Sequence, residues 1–240
     1  MKYYIQMFSI RDVAETDLKK ALEIVAEAGY AGVELCGTFG NSAASVRSWL
    51  DEYHLECFSV HTSRKVLAEE LENTIRYYQE LGVRYFVLPG APTGTKEELD
   101  TTIDLINKYQ KILAREGISF AYHNHYHEYL PNADGLIAHR EIERRTNIDF
   151  ELDTYWTLCG GFDPLHEMER LKARIKVVHL KDGIVEQRIS TAIGLGNAPV
   201  KAIRDHAHKL GFKMVVESEG LQPSGTAEIL QCIKYLRTLQ

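Results

Sequence analysis

Short apolar stretches alternate with longer amphipathic ones eight times along these 240 residues, and few folds satisfy that pattern. The extended stretches are Lys2–Ile10, Ala31–Cys36, Leu55–Thr62, Tyr85–Pro89, the start of Ile118–Leu130, Asp149–Tyr155, Ile175–Leu180 and Phe212–Glu217. Helical apolar spacing fills the intervals at Asp17–Ala28, Ser42–Tyr53, Leu67–Leu81, Lys96–Glu116, Leu136–Arg145, a helix opening at Pro164, Val200–Leu210 and Thr226–Leu239. Gly29, Gly82 and Gly117 stand where three of those helices should stop. Strict alternation of strand and helix favours a parallel sheet. Eight such units in about this length predict an α/β chain folded as a (β/α)8 TIM barrel, in preference to a doubly wound open sheet. No Pro/Ser-rich linker or charge run divides the chain, so residues 1–240 read as one domain. The run Ile193-Gly194-Leu195-Gly196-Asn197 lacks the spacing of a dinucleotide loop and predicts no nucleotide.

Composition narrows the function classes. A net charge of −6 argues against nucleic acid as a partner, because phosphate neutralisation needs a basic surface. No apolar window approaches a membrane span. The N-terminus is interrupted by Arg11, Asp12 and Glu15 and does not read as a secretory signal. Cys36, Cys57, Cys159 and Cys232 are scattered, which predicts reduced thiols in a cytoplasmic setting and no zinc cluster.

In a barrel of this kind the working residues lie where strands end. Those ends carry Gln6, Glu34, His61, His123, His125, Asp153, His179, Lys181, Glu217 and Glu219. Alternation along the fifth strand puts Ser119, Ala121, His123 and His125 on one face, small below and imidazole above. His123, Asp153, His179 and Glu217 can converge as two imidazoles and two carboxylates, a mixed N/O donor set suited to a divalent metal. His179 and Glu217 sit on strands otherwise built of Val and Ile, where an ionisable group needs a partner. Asp153 could instead cap a helix, and Trp156 either packs or walls a sugar. Glu151, one layer below Asp153, reads as a hydrogen-bonded supporting residue. His127, His139, His166, His206 and His208 lie off the strand ends and read as solvated.

Several of these segments together resemble the xylose isomerase-like TIM barrels, the group with sugar isomerases, sugar 3-epimerases, inosose dehydratase and endonuclease IV. The resemblance rests on SIRD, GVEL, SVH, YHNHYHEY, ELDTYW with CGGFDP, HLKD, GLGN and VVESE, and spans nearly the whole chain. It implies a metal (Mn, Zn, Co, Fe or Mg) on His123, Asp153, His179 and Glu217. Epimerases of the group present glutamate where this chain has His123, and histidine where it has Trp156. Their two-glutamate proton exchange therefore lacks one base here, and His125 or Glu128 are the candidates to supply it. The expected activity is a metal-dependent sugar or keto-sugar isomerase or epimerase working by proton abstraction next to a carbonyl. Glu217, His125, Lys181 and Glu128 are its catalytic candidates, and Glu34, His61 and Trp156 would contact a carbohydrate or cyclitol. A lyase of the inosose dehydratase or keto-glycoside eliminating kind is the alternative. An endonuclease IV-like nuclease and a non-catalytic sugar-binding barrel rank lower, and a homo-oligomer is compatible with all of these.

Overall fold

The structure, a computed structural model, describes residues 1–239. Seven strands follow in order: β1 (Tyr4–Gln6), β2 (Gly32–Leu35), β3 (Glu56–His61), β4 (Tyr85–Leu88), β5 (Ser119–His123), β6 (Asp149–Asp153) and β7 (Ile175–Leu180). A short antiparallel hairpin, β8 (Asp182–Ile184) and β9 (Ile189–Thr191), comes next, and then β10 (Lys213–Val216). β10 pairs in parallel with both β7 and β1, so the sheet closes into the predicted eight-stranded barrel with helices around it.

Local chemistry sets the helix ends. Asp17, Ser42 and Thr95 each accept a backbone N–H three residues ahead and start the helices Leu18–Ala28, Ala43–Glu52 and Lys96–Arg115. Gly29 ends the first of these in the left-handed conformation, at φ +88°. The apolar faces of the helices and the outward faces of the strands form one continuous core. Inside the barrel a separate apolar plug closes the lower end, made of Tyr4, Phe58, Val177 and Val215 with Tyr85 against them. The Lys213 ammonium lies over the Tyr4 and Phe58 rings, 4.6 and 4.4 Å from their centroids.

Four expectations need correction. The helix read over Leu67–Leu81 is two, Arg64–Glu69 and Leu71–Glu80, broken at Glu70 (φ −133°, ψ 17°). The stretch Lys2–Ile10 keeps only three strand residues before a 3-10 turn, Met7–Ile10. The connection after β7 carries the hairpin where an irregular loop was expected. His139 is fully buried, stacked between Tyr129 and Phe150 with centroids 4.4 and 4.8 Å away, because the helix Ala138–Arg145 turns that face to the core. All four cysteines are free thiols. No helix among the described residues is long and apolar enough to cross a membrane.

Candidate active site

Above the apolar plug the barrel interior turns polar. The inward positions run Val177–His179–Lys181 along and just beyond β7, Asp149–Glu151–Asp153 on β6 and Ala121–His123 on β5. The upper inward positions of these strands are thus ionisable, whereas Val177 and Ala121 below them are not. At the top, His123, Asp153, His179 and Glu217 bring one donor atom each to within 4.8 Å of one another, all four residues buried.

Asp153 caps a helix with one oxygen and turns the other toward the His123, His179 and Glu217 donors. Its Oδ1 accepts the Trp156 backbone N–H at 2.7 Å and caps the helix Thr154–Cys159, which is why β6 stops there. Its Oδ2 is buried without a hydrogen-bond partner among the described residues, 3.9 Å from the Lys181 ammonium. Burial pushes the Asp153 carboxyl up to about 7 despite Lys181. An orphaned buried oxygen between two imidazoles and a carboxylate is what a cation-binding set presents, and the residues fit a divalent metal of the N/O-preferring kind. Asn124 holds Asp153 in place, accepting its N–H and donating to its carbonyl, both at 3.1 Å.

Beneath lies a carboxylate layer. Glu151 Oε1 faces His61 Nε2 at 2.7 Å, His123 Nδ1 at 3.0 Å and His179 Nε2 at 3.0 Å. Glu34 Oε1 meets His179 Nε2 at 2.8 Å and accepts from Gln6 Nε2 at 2.8 Å. These bonds occupy His123 Nδ1 and His179 Nε2, leaving His123 Nε2 and His179 Nδ1 for the set above. The group His61, His123, Glu151 and His179 also falls within 4.8 Å. There, however, one oxygen already sits in the middle of three imidazoles. Ligands about 2.0–2.2 Å from an ion stand more than about 3 Å apart, so this arrangement is a hydrogen-bonded hub. The strand register slips beside both carboxylates, between Val33 and Glu34 and between Phe150 and Glu151.

The electrostatics follow from that layer. Burial alone would lower His61, but the Glu34 and Glu151 carboxylates outweigh it and raise it to about 10. His179 is raised too, against its burial, chiefly by Glu151. Burial, with His179 and His125 nearby, instead drives His123 down to about 3, so its ring is neutral and a lone pair is available. Burial favours protonated Glu217, but Lys181 and His179 prevail and hold it ionised, well below the carboxylate range. Lys181 is likewise raised, its burial overcome first by Glu217.

A cleft of about 420 Å³ opens beside this centre, reached past His61, His123, His125, Glu217 and Glu219. His125 lines it half-buried, with Nδ1 lacking a partner among the described residues. Glu128 is placed otherwise than a free acid or base would be. It is fully buried, accepting from the Tyr122 hydroxyl at 2.8 Å and the His125 backbone N–H at 2.9 Å, and so it anchors the His125 turn. Glu34 lies a layer below the cleft. Trp156 is 7% exposed, outside the cleft lining, and supports Lys181, whose ammonium is 4.8 Å from its ring centroid. Lys181 bonds Glu217 at 3.2 Å and Glu219 more closely. Sequence reasoning passed over Asn124 and the far wall of the cleft, formed by Phe8, Thr62, Val66 and Tyr78. Asn124 stood inside the HNH run and was the one legible signal; the far wall had none.

Residues 22–239 match the family described as "Xylose isomerase-like TIM barrel". An inosose dehydratase of Geobacillus kaustophilus is 26% identical over 188 residues, which are 68% of this chain and 61% of that protein. The chain therefore spans less than two thirds of that curated relative's length. A sugar phosphate isomerase/epimerase structure from Parabacteroides distasonis superposes with a TM-score of 0.84 at 24% identity, covering 99% of this chain and 98% of the other. A D-tagatose 3-epimerase-like protein superposes at 0.75 and 20% identity, with 100% and 98% covered. The two structures share the fold.

Proposed function

The chain belongs to the xylose isomerase-like TIM barrel family, and on that premise we propose an enzyme that abstracts a proton next to the carbonyl of a sugar, keto-sugar or cyclitol. The observation that carries this reading is the His123, Asp153, His179 and Glu217 set, with an unpartnered Asp153 oxygen, at the edge of an open cleft. Those four would hold a divalent metal, which supplies Lewis acidity toward a substrate carbonyl and neighbouring hydroxyl. Glu217, ionised and lining the cleft, takes the proton from the carbon. His125, which lines the same cleft, returns a proton to that substrate. Lys181, fixed by Glu217 and Glu219, places positive charge where the substrate oxygen gains negative charge. Glu151 and Glu34 keep the ring nitrogens of His123 and His179 turned toward the set.

Return of the proton makes the reaction an isomerisation or epimerisation, the reading we favour because His125 lines the same cleft as Glu217 and offers a second proton-handling group. A lyase is the second reading, favoured by the sequence match to inosose dehydratases. In that case His125 protonates the departing oxygen instead.

Metal content together with solvent-deuterium incorporation into a panel of keto-sugars and inososes tests the proposal. Glu217→Gln should cut exchange by at least about 100-fold. His125→Ala should retain the metal while slowing turnover. Wild-type protein that binds no metal and exchanges no proton on any panel member would sink the reading.

A further inference from the structure

We infer that the far arm of the cleft receives an apolar substituent of an unphosphorylated sugar. This rests on the sugar reading above and names the substrate class for the same site. The cleft's about 420 Å³ lies in the range of about 300–1,000 Å³ that holds drug-sized ligands, more than a single hexose ring requires. Its large apolar side chains gather away from the catalytic end. Away from Glu217 and His123 the walls are Phe8, Cys36, Val66, Tyr78 and Pro89, interrupted by hydroxyls and by one carboxylate, Glu70.

Charge disfavours a phosphate in the far arm. The charged carboxylates lining the cleft are those of Glu70, Glu217 and Glu219, and among the described residues no lysine or arginine lines it. A phosphate monoester brings about −1.5 to −2 charges at neutral pH and would meet carboxylates with no guanidinium or ammonium to pair with. The nearby cations are engaged: Lys181 by Glu217 and Glu219, the His61 ring by Glu34 and Glu151, and Arg11 by the Phe8 and Glu219 carbonyls. One polar handle does point to a ligand. Thr62 is 3% exposed, lines the cleft, and its Oγ1 has no hydrogen-bond partner among the described residues. A lone buried hydroxyl between the polar centre and the apolar wall suits the oxygen linking a sugar ring to its substituent. Phe8 is 39% exposed at the rim, where it would fold over such a group.

The test is calorimetric binding of three probes to metal-loaded protein: the phenyl and the methyl glycoside of one keto-hexopyranose with its carbonyl at C3, and fructose 6-phosphate. The phenyl glycoside should bind at least about tenfold tighter than the methyl one. The phosphate ester should bind weakest. Val66→Lys should bring the two glycosides to within about twofold, whereas the near-isosteric Thr62→Val should weaken both by about fivefold and keep their ratio. Equal affinities in wild type, tightest binding of the phosphate ester, or an undiminished phenyl preference in Val66→Lys would each overturn the inference. Deuterium exchange distinguishes the two readings. Phenyl preference without exchange removes the proposed chemistry and leaves the arm; exchange with equal affinities removes the arm and leaves the chemistry. Failure to bind any probe overturns both.

Discussion

Asp153 spends its two oxygens on different tasks, one on the Trp156 N–H and one facing the histidines. The tasks can be separated by substitution. Asp153→Asn keeps an oxygen for the helix start and neutralises the other side, so metal affinity should fall while stability stays at or above wild type. Asp153→Ala loses the cap as well and should cost about 1 kcal/mol more. Chelator competition and urea melts read the two quantities independently. Equal stability losses in both variants would mean the cap contributes nothing. That Asp153 reaches the centre is legible from the alternation of β6, but its simultaneous cap depends on where the strand stops, which the string ELDTYW does not mark.

At the scale of elements, the helix Ala138–Arg145 and the loop after β7 carry the clearest consequences. Burial, reinforced by the Arg140 and Arg174 cations, pushes His139 down to about 3 from its ordinary 6.5. The unfolded chain therefore binds this proton more readily. His139's contribution to stability is complete above pH 6.5 and declines as pH falls toward 3, by up to about 1.4 kcal/mol per pH unit. His139→Phe preserves the stack on Tyr129 and Phe150 without a titrating group. Its urea midpoint should fall less steeply than wild type between pH 6.5 and 4, and parallel curves would refute this. The helix was legible in the sequence, but His139's inward face was not, because a lone imidazole reads as polar in any periodicity count.

The loop after β7 is organised by Asp182, which accepts backbone N–H groups from Gly183, Gly194, Gly196 and Ala198 at 2.8 to 3.1 Å. Gly196 presses so closely on Asp182 and Gly183 that a Cβ there would lie within 2.5 Å of them. Gly196 thus serves close approach to a carboxylate of its own chain, and Gly194 a left-handed turn against Tyr235, which explains a motif that lacked a nucleotide loop's spacing. Asp182→Asn replaces one acceptor with a donor facing N–H groups and should cost about 1–3 kcal/mol, with faster amide exchange at Gly194 and Gly196. Unchanged exchange would show that the loop holds itself.

For the whole molecule, the barrel was legible because its evidence is spread over the entire chain: eight alternations, with glycine stops and capping residues agreeing. The candidate metal set was legible for the same reason, since strand parity puts ionisable residues inside. What escaped were features made by irregularity. The break at Glu70, inside a stretch read as one helix, brings Val66 and Tyr78 to the cleft. A periodic reading averages over such departures.

The plug of Tyr4, Phe58, Val177 and Val215 gives the barrel a single doorway. Substrate and product share it, so no arriving molecule can push a departing one out through the far end. Each turnover waits for the vestibule to empty. On the isomerase reading, with one product, that product should therefore inhibit competitively against substrate in initial-rate measurements, and a noncompetitive pattern would count against a shared doorway.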